Sequence, residues 1–127
     1  SGGTAYPLAV HGDVVGTPYT GTHTLGNWQS DRALDIVVPY GTPVLAVESG
    51  VVTATGGGGG GRFAGLNLHL HGSGDTYFYA HLSSLSVSAG QSVSQGQVIG
   101  LSGSANGVEH LHIARESGDP MALAAGG

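Results

Sequence analysis

Glu109-His110-Leu111-His112-Ile113 places two histidines two residues apart, alternating with apolar residues. In an extended strand the side chains of residues i and i+2 leave the backbone on the same face. The alternation therefore predicts a strand that turns Leu111 and Ile113 into a core and projects His110 and His112 together from the other side. Two imidazoles on one rigid face suit a metal, or one ligand beside one acid/base group. An isolated His-x-His reads first as two packed or solvated side chains, so a functional meaning depends on what else the fold delivers to that face.

The rest of the chain narrows the choice. Its 127 residues bound it to one modest domain. It has no cysteine, which removes thiolate ligands, thiol nucleophiles and disulfides. It has no lysine, and Arg32, Arg62 and Arg115 face eight acids, for a net charge of −5. That balance argues against nucleic-acid binding and against a polybasic membrane contact. No apolar run approaches the roughly 18 residues of a membrane span. Seven histidines without thiols leave His and Asp as the candidate metal ligands.

Glycine-punctuated apolar runs predict an all-β domain of antiparallel strands, forming a barrel or sandwich with a groove, and no amphipathic helix. Strands are expected at Asp35–Val38, Leu66–His71, Thr76–Leu82, Gln97–Leu101 and His110–Ala114. Pro43–Val47 and Val51–Ala54 read as a hairpin around Ser49-Gly50, and Ser102–Gly107 as a polar loop. The six consecutive glycines 56–61 read as a mobile loop at the groove rim. No Lys-Ser/Thr follows them, so they do not read as a phosphate loop. The expected division is a linker remnant at 1–4, the domain at 5–118 and a tail at 119–127.

Beyond the closing histidines, chemistry concentrates at two places. Asp31-Arg32-Ala33-Leu34-Asp35 carries two carboxylates four apart, and His81 ends the aromatic run Tyr77-Phe78-Tyr79-Ala80. Each alone has an ordinary structural reading. His69 and His71 alternate with leucines and are expected on a solvent face or groove floor. His11 reads as surface, Trp28 as core plug or groove wall, and Tyr77 and Tyr79 as packing or substrate contact.

In order and context these segments resemble the M23 (LytM/lysostaphin-type) zinc metallopeptidases, whose motifs are His-x-x-x-Asp and a closing His-x-His. The resemblance is carried by Asp35-Ile36-Val37-Val38-Pro39-Tyr40-Gly41-Thr42-Pro43-Val44, by Tyr79-Ala80-His81-Leu82-Ser83, by Gly90-Gln91-Ser92-Val93 with Gly96-Gln97-Val98-Ile99-Gly100, and by His110-Leu111-His112. It covers roughly Thr22 to Arg115. It implies a Zn2+-dependent hydrolase cutting peptide bonds in bacterial peptidoglycan, outside the cytoplasm. The partner is then the wall peptide, with the chain acting as a monomer. By this resemblance Asp35 and His112 are zinc ligands, and His81 and His110 are catalytic histidines that do not bind the metal.

Position 31 departs from the pattern, because the family usually has histidine there. Asp31 is the expected first ligand by its spacing to Asp35, and would make a harder, more anionic site; His23 is the alternative. The entry Trp28–Asp35 looks similar to phage lysin and tail-associated versions of the domain. Val87–Gly100 also resembles the turns of lipoyl and biotinyl carriers, but those need a lysine that this chain lacks. The competing function is a degenerate, non-catalytic domain acting as a wall-binding or regulatory scaffold.

Overall fold

The computed structural model describes residues 4–61 and 64–125. The linker remnant expected at 1–4 and the last two residues of the expected tail thus fall, Thr4 apart, outside the described residues. Among those described, nine strands form one antiparallel sheet: β1 (Asp13–Gly16), β2 (Ala33–Val37), β3 (Pro43–Leu45), β4 (Gly50–Gly59), β5 (Gly65–Gly72), β6 (Thr76–Leu85), β7 (Ser92–Val93), β8 (Val98–Ala105) and β9 (Val108–Arg115). The spatial order is β1-β2-β9-β8-β6-β5-β4-β7, with β3 on β8 and a further pairing of β6 with β9. The sheet curls but does not close, so the all-β expectation holds in its open form rather than as a barrel.

The core side is built by alternation. Leu34 and Ile36 of β2, Leu68 and Leu70 of β5, Tyr77 and Tyr79 of β6, and Leu111 and Ile113 of β9 are all buried. Both tyrosines are therefore packing residues whose hydroxyls find partners. Tyr77 donates to Glu48 Oε1 at 2.6 Å, and Tyr79 donates to the Leu45 carbonyl at 3.1 Å while accepting from the Val47 N–H at 2.9 Å.

That last pair lies beside a correction. β3 and β4 do not form the expected hairpin; β3 lies on β8, and β4 pairs with β5 and β7. The Tyr79 hydroxyl takes up the Leu45 C=O and Val47 N–H, and Ala46 bonds through its backbone to Gly96 and Gln97, so these groups are not available for a β3–β4 ladder. A second correction concerns the glycines. Gly56, Gly57 and Gly59 continue β4 against Asn67, Leu66 and Gly65 of β5. Backbone hydrogen bonds specify this extension without any side-chain pattern to announce it. A third concerns Ser102–Gly107, where β8 runs through to Ala105 and turns at Asn106-Gly107 straight into β9. Both turn residues have positive φ, 51° and 77°, as a two-residue type I′ hairpin requires.

Apart from Gly61, which has 3-10 conformation, helix among the described residues comprises one short α-helix, α1 (Trp28–Asp31), and a 3-10 helix at Pro120–Ala124. The latter lies in the segment expected to trail off, yet Pro120 is buried and Leu123 has 0% exposure within the core. Among the described residues no helix is long and apolar enough to cross a membrane.

Candidate metal centre

The register of β2 against β9 sets Asp35 opposite His112 and Val37 opposite His110. Asp35, His110 and His112 consequently share the face away from the core. β6 adds Ala80 opposite His112, and Phe78 of the same face meets the His112 ring edge-on at 6.0 Å.

His81 reaches this face only by breaking the alternation. Strict period two would send it inward with Tyr77 and Tyr79. Instead β6 spends one extra residue between its pairings Leu68↔Tyr79 and Leu66↔Leu82. His81 takes φ +62°, an uncommon conformation outside glycine. A Cβ at Gly103 would lie 2.5 Å from the His81 carbonyl oxygen, so the neighbouring strand has to be bare there. The bulge sets His81 5.1 Å from the His110 ring and 5.5 Å from that of His112.

His23 arrives from the loop between β1 and α1. Its ring is buried and meets His112 edge-on at 5.1 Å. The atoms that could ligate a cation belong to His23, Asp35 and His112, all within 4.8 Å of one another. Asp31 is not in this group. Its carboxylate turns away to accept the Gly26 N–H at 3.2 and 3.3 Å. In this geometry it is His23, and not the expected Asp31, that stands with Asp35 and His112. Spacing from Asp35 says nothing of a loop that folds back.

Each of the four histidines has one ring nitrogen on a main-chain carbonyl. His23 Nδ1 donates to Thr17 at 2.9 Å, His81 Nδ1 to Ala64 at 2.8 Å, His110 Nδ1 to Val108 at 2.9 Å and His112 Nε2 to Gln29 at 2.7 Å. A carbonyl can only accept, so these nitrogens carry the proton. In the neutral rings the other nitrogens are lone pairs. Three of them crowd Asp35: His23 Nε2 at 3.1 Å, His112 Nδ1 at 3.2 Å and His110 Nε2 at 3.6 Å. His23 Nε2, though close, lacks the alignment of a hydrogen bond and has no other partner.

Acceptors facing a carboxylate are stable only if a proton or a cation lies between them. The protein reflects that tension. Burial opposes ionisation of Asp35, but His112 and His23 outweigh it and hold the carboxyl well below the usual range. The adjacent Asp35 carboxylate raises the His23 pKa, against the opposing effect of burial. Burial dominates at His81 and lowers it to about 4, so that imidazole is neutral at physiological pH. Two imidazoles and a carboxylate, with carbonyls fixing the tautomers, fit a zinc-type cation, whose N and O ligands sit at about 2.0–2.2 Å.

The centre lies in a cavity of about 420 Å3 whose wall includes Val15, Leu25, Phe78 and Val108. Other sequence candidates fall outside the cation-binding group. The His69 ring packs between Trp28 at 6.0 Å and Phe78 at 4.8 Å, behind the site. His71 pairs with Thr76 Oγ1 at 3.0 Å, and His11 stacks on Tyr6 at 5.1 Å. The carbonyls of Thr17, Gln29, Ala64 and Val108 are the parts sequence reasoning could not find, since a main-chain group leaves no mark on residue identity.

An open antiparallel sheet presenting a carboxylate and several imidazoles in one groove defines a metallohydrolase-like architecture. The chain belongs to peptidase family M23, whose description matches residues 29–122. It is 44% identical over 82 residues to the peptidoglycan DD-endopeptidase ShyA of Vibrio cholerae serotype O1, an alignment covering 61% of this chain and 18% of ShyA. Among solved structures it resembles the antimicrobial peptidase lysostaphin from Staphylococcus simulans, with TM-score 0.67, 26% identity and coverage of 97% of this chain and 56% of lysostaphin. It also resembles a zinc-containing peptidase from Vibrio cholerae, with TM-score 0.68, 25% identity and coverage of 89% and 37%. The chain spans less than a fifth of the length of the curated relatives it matches.

Proposed function

We propose that the chain is a zinc-dependent endopeptidase domain that hydrolyses peptide bonds of bacterial peptidoglycan, with His23, Asp35 and His112 as the zinc ligands. The observation that carries this reading is the tautomer pattern. Four carbonyls each take the proton-bearing nitrogen of one imidazole, so that in the neutral rings the remaining lone pairs face one groove beside the Asp35 carboxylate.

Zinc bound there would supply a Lewis acid for the scissile carbonyl and lower the pKa of a bound water toward 7. The protein's part is to hold the substrate and move protons. His110 Nε2, beside Asp35 and facing the groove, is the proposed general base. Taking a proton converts it into a donor, able to return that proton to the departing amine. His81 stays neutral and offers an acceptor nitrogen 5.1 Å, ring to ring, from His110, suited to orienting the attacking water or a substrate N–H. The scaffold alternative rested on a ligand lost at position 31, and His23 supplies that imidazole from elsewhere. The resemblance of Trp28–Asp35 supports a phage lysin or tail-associated enzyme, acting at the cell wall, as the parent protein.

The test is elemental analysis of the purified protein followed by turbidity of a sacculus suspension. About one zinc per chain, with clearing that a chelator stops and added zinc restores, is the expected result. Protein that binds zinc and leaves sacculi and their peptides uncut overturns the enzymatic reading.

A further inference from the structure

The loop from Thr17 to Asn27 has to deliver His23 accurately, although much of it is exposed. Its ties converge on two adjacent residues of α1. Ser30 Oγ accepts the Leu25 N–H and donates to the Thr22 carbonyl, both at 3.3 Å. The Asp31 carboxylate accepts the Gly26 N–H at 3.2 Å through its nearer oxygen, and the Asp31 carbonyl accepts the Tyr19 N–H at 2.8 Å. From the loop's end, Asn27 Oδ1 caps the helix by accepting the Ser30 N–H at 2.9 Å. Ser30 and Asp31 therefore grip the loop on both sides of His23. The next residue but one before Ser30, Trp28, starts the helix whose Gln29 carbonyl fixes His112. One turn of helix thus touches the supports of two proposed ligands.

We infer that Ser30 and Asp31 are positioning residues. They brace the 17–27 loop so that His23 Nε2 is held at the metal position, and the carboxylate standing where the family usually carries a ligand serves as that ligand's strut. This rests on the ligand set proposed above. It separates from direct ligation by a chemical difference. A strut needs an oxygen that accepts an N–H, which an amide supplies. A ligand needs the anionic carboxylate.

The measurement is zinc affinity by chelator competition, with amide hydrogen exchange of Leu25 and Gly26 in the zinc-free protein. Asp31→Ala is expected to weaken zinc about tenfold, at the lower end of what losing an indirect support costs. It should also speed exchange at Gly26. Asp31→Asn, which keeps the acceptor, is expected to stay within about twofold of the parent. Ser30→Ala should weaken zinc similarly and speed exchange at Leu25, and carries the test independently should Asp31→Ala not fold. Asp31→Asn losing zinc as severely as Asp31→Ala overturns the strut, as does Asp31→Ala or Ser30→Ala binding zinc like the parent. His23→Ala separates the two levels. If it leaves zinc affinity intact, the proposed ligand set fails. If it abolishes binding while the Ser30 and Asp31 variants change nothing, only the brace fails.

Discussion

Asp35 and Asp75 are both acids drawn into the sheet, and they differ in what surrounds them. Asp75, in the turn between β5 and β6, has a side chain 2% exposed and meets only donors. Arg115 Nε lies at 2.9 Å, and the N–H groups of Thr76, Ser117 and Gly118 lie at 2.8, 3.0 and 2.7 Å. Its negative charge is answered inside the protein, and the group pins β6 to the end of β9. Asp35 meets imidazole nitrogens whose partner nitrogens are already spent on carbonyls. Its charge is answered by imidazoles alone, His112 Nδ1 at 3.2 Å and His23 Nε2 at 3.1 Å, each of which needs a proton or a cation between the facing atoms. A buried acid ringed by donors is structural; one ringed by acceptors leaves room for a cation or a mobile proton.

The sharpest way to break this contrast is at the metal ligands. His112→Ala and His23→Ala are each expected to weaken zinc by more than the roughly 100-fold typical of an indirect support, and to abolish sacculus clearing. Elemental analysis and turbidity check both. His110→Ala is expected to keep zinc and lower turnover by about 10²–10⁴-fold, the usual contribution of a general base. Zinc loss in that variant would place His110 among the ligands.

Asp75→Ala should behave in the opposite sense. Zinc stoichiometry of the folded protein is retained, while stability falls by about 3–5 kcal/mol because Arg115 is left unpaired. Urea unfolding measures it. The effect depends on pH in a defined direction. Burial pushes the Asp75 carboxyl up, but Gly118, Arg115, Thr76 and Ser117 together hold it below its ordinary value of 3.8. A carboxyl lowered on folding stabilises fully above its unfolded pKa, and that contribution fades as pH falls through the folded one. The gap between the parent and Asp75→Asn is therefore expected to be widest above about pH 5 and to shrink below pH 4.

The smallest effect tests the glycine tract. Gly56 has no positive φ, and an added Cβ would come no nearer than 3.4 Å to Asn67 Oδ1. Gly56→Ala should therefore be neutral or stabilise by up to about 1 kcal/mol through the unfolded chain. A loss of more than that would mean this end of the β4–β5 ladder is more tightly packed than its spacing indicates.

Particular residues mark how far the sequence was legible. Period-two alternation was enough for Leu111 and Ile113 to be read as core with His110 and His112 opposite them, and likewise for Leu68 and Leu70 of β5. It failed at His81, where a bulge reverses the face. It was silent in the glycines, which have no side chains to alternate. It misjudged β3, which pairs with β8 more than fifty residues further on rather than with its neighbour in sequence.

Alternation and composition by themselves determined an all-β chain with imidazoles grouped on one strand face and no thiol or lysine chemistry, because local period and residue type are properties of the chain alone. Tertiary structure decided that His23 rather than Asp31 stands beside Asp35 and His112, that His81 joins them, and which nitrogen each ring presents. Those outcomes depend on where distant carbonyls and loop amides come to rest, and proximity in space has no counterpart in spacing along the chain.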